Sequence, residues 1–141
     1  TVLTLATIAI AEDKKEEGKD KAPAAMCPVM NAEIDKDISV DYKGGKVYFC
    51  CQPCVKKFKA NQEKYAAKAN LQLVVTGQAR QTACPLTGGQ TDADTKLKVA
   101  GVDVLFCCGG CKGKVSAAKA DKQLEMVFGK GFDKGFTVKK K

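Results

Sequence analysis

The sequence predicts an α+β fold of two tandem small modules, each a Cys-Pro knuckle, a β-hairpin, a cysteine knuckle and short helices. Three observations carry this. The first is a repeat: YFCCQPC at 48–54 returns as LFCCGGC at 105–111, an offset of 57 residues. At that offset all eight cysteines fall into register, as do Pro28 with Pro85, Asp35 and Asp37 with Asp92 and Asp94, Gly44 with Gly101, and Phe49 with Phe106. A match of that extent marks a tandem duplication. The second is alternation: apolar residues recur at every second position on both sides of a glycine turn in each copy, the period of a half-buried strand. The third is the change to a helix-like pattern directly after each cysteine cluster.

The elements follow in order. Residues 1–11, TVLTLATIAIA, carry no charge and end in Ala9 and Ala11, a small-x-small pattern before the charged run EDKKEEGKDK. They read as a residual signal peptide, with the mature chain beginning near Glu12; a buried first strand is the competing reading, because Val, Thr and Ile favour strands. They are too short to span a bilayer, and no cysteine at the cleavage point offers a lipid anchor. Residues 12–24, charged and small, read as a disordered leader. The first module is expected over 25–78 and the second, with a basic tail, over 79–141. In the first, ISVDYKGGKVYFC reads as a hairpin turning at Gly44-Gly45, and PCVKKFKANQEKYAAKA as helix, with Pro53 suited to its first position and Asn61 able to cap a second helical stretch. LQLVV at 71–75 is expected to be a strand joining the copies. In the second, LKVAGVDVLFC is the hairpin around Gly101, and Asp121 is a candidate cap within CKGKVSAAKADKQLEMVF. Phe132 and Phe136 are expected to fold back onto the core while Lys139 to Lys141 stay in water.

Within each copy the cysteines are spaced C-x22-C-C-x2-C, and the chain has no histidine. The last three thiols belong to a strand end and a first helical turn; the distant one comes from the opening knuckle. A hairpin that folds the knuckle back beside the cluster brings four sulfurs together from two short elements, as small zinc sites are built, and a helix N-terminus favours thiolates there. Two rivals stand beside a metal. One is a disulfide framework, since export means an oxidising compartment and the count is even. The other is a redox enzyme, since CQPC and CGGC have the C-x-x-C form, although the βαβ setting is absent. All-thiolate sites suit Zn2+ or Cu(I). Met26 and Met30 flank Cys27 and are soft by nature, yet methionine is more commonly a packing residue, and copy two has Ala83 and Thr87 in their places. Asp35, Asp37, Asp92 and Asp94 read as turn residues.

The stretch CPVMNAEI…VDYKGGKVYFCCQPCVKKFKANQEKY resembles the YHS domain, of the wider TRASH-like group of metal-binding modules. The shared features are Cys27-Pro28, Gly44-Gly45, Tyr48-Phe49-Cys50 and Cys54, Phe58 and Tyr65. Copy two keeps Cys84-Pro85, Gly101, Phe106, Cys107 and Cys111, but has Leu105 for the tyrosine, Val115 for Phe58, and no later tyrosine. The resemblance implies Cys27, Cys50 and Cys54 as ligands in copy one and Cys84, Cys107 and Cys111 in copy two. Cys51 and Cys108 are candidates for the fourth ligand, although adjacent residues at a strand end point opposite ways. It also implies heavy-metal binding in transport, sensing, trafficking or resistance, and no catalysis.

The net charge of +8 comes from lysines scattered over the helices and tail, which reads as a solvated surface. Aromatic content of 6% without tryptophan is poor material for base stacking. No phosphate-binding glycine loop in a strand-to-helix setting is present. The expectation is an exported protein of the bacterial periplasm or extracellular space, not an enzyme. It would hold zinc or Cu(I) through clustered thiolates for buffering, trafficking or sensing. Its partners would be the metal and a metal-transport or metal-delivery protein, without nucleic acid or a membrane span after signal cleavage. The alternative is a disulfide-stapled structural or interaction module.

Overall fold

A computed structural model of the protein describes residues 23–140. The expected signal peptide at 1–11, and the leader as far as residue 22, lie outside the described residues.

Each copy opens with a knuckle closed by two backbone hydrogen bonds. In copy one the Asn31 amide donates to the Cys27 carbonyl at 2.8 Å and the Cys27 amide to the Ala32 carbonyl at 2.8 Å; in copy two Gly88 and Cys84 are bonded in the same way to Cys84 (2.7 Å) and Gly89 (2.8 Å). The turn needs a left-handed residue, supplied by Asn31 (φ 54°) and Gly88 (φ 76°), the residue types that tolerate it best.

Strands β1 (Asp35–Tyr42) and β2 (Gly45–Phe49) then pair antiparallel, with Val40 opposite Val47 and Tyr42 opposite Gly45. The tight turn is Lys43-Gly44, both at positive φ (51° and 86°), rather than Gly44-Gly45. Two successive left-handed residues match the twist of a two-residue hairpin. Gly45 instead begins β2, where a Cβ would lie 2.8 Å from Leu73 Cδ2. The Asp35 carboxylate accepts from the Asp37 amide at 3.0 Å inside an irregularity between Asp35 and Ser39. The expected turn is therefore a bulged strand start, not a loop before the hairpin.

Copy two reproduces this register at four of the five pairs, each displaced by 57, the pair of Ser39 with Tyr48 having no counterpart: in its hairpin, Leu97 faces Val104, Val99 faces Val102 and Asp92 faces Phe106. Its two strands are Asp92–Val99 and Val102–Phe106, and its turn is Ala100-Gly101.

Helices α1 (Gln52–Ala60) and α2 (Gln62–Val75) follow the first hairpin. Cys51 is the extended residue before α1, and Pro53 is its second residue, where a missing N–H costs nothing. Asn61 ends α1 and caps α2, its side chain accepting from the Lys64 amide at 3.3 Å. The expected strand LQLVV is the end of α2. The run is apolar because α2 lies between the two copies: Leu73 is buried in the core and Asn70 donates to the Phe128 carbonyl at 2.6 Å across the interface. A helix buried over so wide an arc loses the periodicity that distinguishes it from a strand.

The short strand β3 (Ala79–Gln81) follows α2 and precedes the second knuckle. The strands of the second hairpin are β4 (Asp92–Val99) and β5 (Val102–Phe106). After them come α3 (Gly109–Ser116), α4 (Ala120–Leu124), a π-helical turn (Glu125–Gly129), α5 (Phe132–Gly135) and β6 (Phe136–Val138). Lys119, not Asp121, is the cap of α4; Asp121 lies in the first turn, still favourable for a carboxylate. β6 returns to pair antiparallel with β3, Gln81 opposite Phe136. This fastens the C-terminal segment to the junction between the copies and buries Phe132 and Phe136, whose rings stack at 5.4 Å. The buried residues of both copies form one hydrophobic cluster. Among the described residues, no helix is long and apolar enough to cross a membrane.

Candidate metal centre

The closed knuckle turns Cys27 inward, and β2 delivers Cys50 to the same place at its end. One further turn of chain puts Cys54 on the buried face of α1, whose packing is fixed by Phe58, edge-on to Tyr42 at 5.4 Å and tilted against Phe49 at 5.2 Å. The sulfurs of Cys27, Cys50 and Cys54 lie within 4.8 Å of one another, and so do those of Cys84, Cys107 and Cys111. Cys50 and Cys54 are 3.6 Å apart, as are Cys107 and Cys111. A tetrahedral ion with metal–sulfur bonds of about 2.3 Å spaces its sulfurs about 3.8 Å apart, so the donor sets fit a thiolate-bound metal. All eight cysteines are free thiols.

Cys51 and Cys108 lie outside these two trios. Both are the extended residue before a helix, and the turn of the chain from strand into helix brings their sulfurs back beside those of Cys50 and Cys107 rather than to the opposite side. Cys51 still touches the cluster, 3.3 Å from Cys54 and 3.7 Å from Cys50, and is half-buried. Cys108 is exposed, with its sulfur 3.9 Å from Cys107. Met26 and Met30 are exposed beside Cys27, so neither is the core-filling residue that methionine usually is.

The sulfurs divide the proton load unevenly. Burial works to raise the Cys27 thiol, but the backbone N–H groups of Met30, Cys50 and Val29 outweigh it and hold it below its ordinary value. Burial opposes ionisation of Cys84 too; there the Thr87 hydroxyl and the N–H groups of Thr87, Cys107 and Leu86 bring the thiol down to about 6. The neighbouring Cys54 thiol and amide lower Cys51, and the Cys111 amide and thiol lower Cys108. Burial followed by the hydrogen bond to Cys27 raises Cys50. Burial and the adjacent thiols push Cys54 up and Cys111 up to about 12. Each cluster thus pairs a knuckle thiol that gives up its proton more easily than usual with a helix thiol that keeps its proton until something stronger displaces it, which is how metal binding releases protons. Neither α1 nor α3 has an acidic residue in its first turn, leaving the positive helix ends for sulfur.

Three residues around the clusters carry no signal in the repeat. Thr87 stands where copy one has Met30, and its hydroxyl donates to Cys107 Sγ at 3.3 Å. Gln72 and Gln81 each bind the backbone of a knuckle and of a hairpin strand. Comparison at the repeat offset cannot find the pair, because they are not 57 residues apart.

No curated protein and no solved structure matches the chain. Residues 28–69, which run from Pro28 through the first hairpin and the Cys50–Cys54 knuckle into α2, match the family model of the YHS domain, and the second cluster repeats that domain's cysteine pattern in tandem.

Proposed function

We propose that the protein binds soft metal ions, zinc or Cu(I), at its two cysteine clusters, and serves to buffer, traffic or sense them. The observation that carries this is the convergence of three thiols within 4.8 Å in both copies, without a histidine or an oxygen ligand among them. Such a donor set selects zinc or Cu(I) over hard cations. When bound, the metal supplies a charge that ionises the remaining thiols. The chain's own part is to hold sulfur in place: the knuckle amides face Cys27 and Cys84, and the helix N-termini face the clusters. Nothing in this arrangement requires a reacting substrate, so the reading is binding and not catalysis. Export to the periplasm or outside the cell belongs to the same proposal and rests on the character of residues 1–11. In that setting a metal-transport or metal-delivery protein is the expected exchange partner.

The test is elemental analysis, with thiol titration, of protein purified anaerobically from its own compartment. One to two equivalents of zinc or copper, with eight thiols recovered on metal removal, is the expected result. A metal-free protein with its cysteines covalently paired, which after reduction binds neither Zn2+ nor Cu(I), would leave the clusters as disulfide staples.

A further inference from the structure

The knuckle that carries the first ligand and the strand that carries the second are joined in each copy by one glutamine side chain. In copy one Gln72 reaches from α2. Its Oε1 accepts from the Tyr48 amide at 2.6 Å, and its Nε2 donates to the Tyr48 carbonyl at 2.8 Å and the Met26 carbonyl at 3.0 Å. In copy two Gln81 reaches from β3, on the opposite side of the junction. Its Oε1 accepts from the Leu105 amide at 2.9 Å, and its Nε2 donates to the Leu105 carbonyl at 2.6 Å and the Ala83 carbonyl at 3.0 Å. Tyr48 and Leu105 are repeat counterparts, and so are Met26 and Ala83; the glutamines are not. The same three backbone groups are gripped in the same pattern by residues of different ancestry in the duplication.

The gripped groups are one residue before the first ligand (Cys27 or Cys84) and two before the second (Cys50 or Cys107). A carboxamide bonded to both fixes the separation of the two segments, and with it the distance between the ligands that sequence places furthest apart. Gln78 supplies an internal contrast. It makes the same paired bonds to β2 at Lys46 (2.6 and 2.7 Å), but its remaining bond goes to Thr76, not to a knuckle. Satisfying the outer edge of β2 therefore does not by itself require a reach to the knuckle.

We propose that Gln72 and Gln81 are positioning residues for the two metal sites, each setting the gap between the knuckle sulfur and the strand-end sulfur of its own copy. This rests on the metal-binding reading above. Loss of a group that orients metal ligands typically weakens affinity by about 10–100-fold, and each glutamine acts on one site only.

The experiment is a Co(II) titration of the full chain, reduced and anaerobic, against a competing chelator, following thiolate-to-cobalt charge-transfer absorption. The variants are Gln72→Met, Gln81→Met and Gln78→Met. Gln72→Met and Gln81→Met are each expected to weaken one of two sites about 10–100-fold and to reduce the charge-transfer intensity per bound cobalt at that site. The other site should stay as in wild type, and Gln78→Met should leave both unchanged. Gln81 is only half-buried, so its variant is informative even where Gln72→Met fails to fold. Wild-type affinity and spectra in Gln81→Met, or equal losses in Gln78→Met, would overturn the proposal. A wild-type protein that binds no Co(II) would instead remove the metal-binding reading beneath it.

Discussion

Replacing Phe58 with alanine tests how the fold holds the first cluster. Phe58 is fully buried on α1, one turn after Cys54, with its ring against Tyr42 and Phe49. Emptying such a site costs about 3–5 kcal/mol, and the two ring contacts account for about 0.5–1.5 kcal/mol each within that sum. Against a total stability of about 5–15 kcal/mol for a domain of this class, the loss is large. With a urea slope near 2 kcal/mol per molar, a loss of about 4 kcal/mol moves the unfolding midpoint of the metal-free protein down by about 2 M. The counterpart in copy two is the buried Val115. Val115→Ala removes two carbons and costs about 2 kcal/mol. Urea unfolding followed by circular dichroism reads both values in one series. A loss below about 1 kcal/mol for Phe58→Ala, or equal losses for the two variants, would refute the argument that the aromatic trio anchors α1 beneath Cys54.

Cys27→Ser removes the one copy-one ligand that lies outside the helix-start cluster, and should abolish tight zinc or Cu(I) binding there while copy two still binds, as metal stoichiometry falling by one equivalent. Cys51→Ser should weaken the first site, because Cys51 Sγ touches two of its sulfurs, whereas Cys108→Ser at the exposed position should change the second site less; competitive titration of each variant ranks them. In the metal-free protein one thiolate should titrate near pH 6 by ultraviolet absorbance and vanish in Cys84→Ser, because the Cys84 thiol is lowered from 9.0 to about 6. By linkage that group's contribution to stability is fully present above pH 9 and is lost as pH falls through about 6. Cys111, raised to about 12, contributes in the other sense: its share is present below pH 9 and is lost as pH rises toward 12. Urea midpoints between pH 5 and 10 should therefore rise to a maximum on the alkaline side of neutrality and then fall.

The duplication, the two hairpins, the cysteine knuckles and the two trios of thiols were legible in the sequence. Each depends on local chemistry: alternation for strands, left-handed residues for turns, and a spacing that returns a knuckle to a strand end. The match of four hairpin pairs at the repeat offset shows how strongly local pattern specifies these parts. Tertiary structure decided the rest. LQLVV became helix because α2 fills the space between the copies, and burial on both sides erased the period that marks a helix. β3 and β6 pair across most of the second copy, a contact too short and too distant in sequence to leave an alternating signal. The placement of Cys51 and Cys108 followed from backbone direction at the step from strand to helix, which composition does not encode. The glutamines that grip the two knuckles come from unrelated positions, because a carboxamide can satisfy the same three backbone groups from either side. Such a role exists only once the chain is folded.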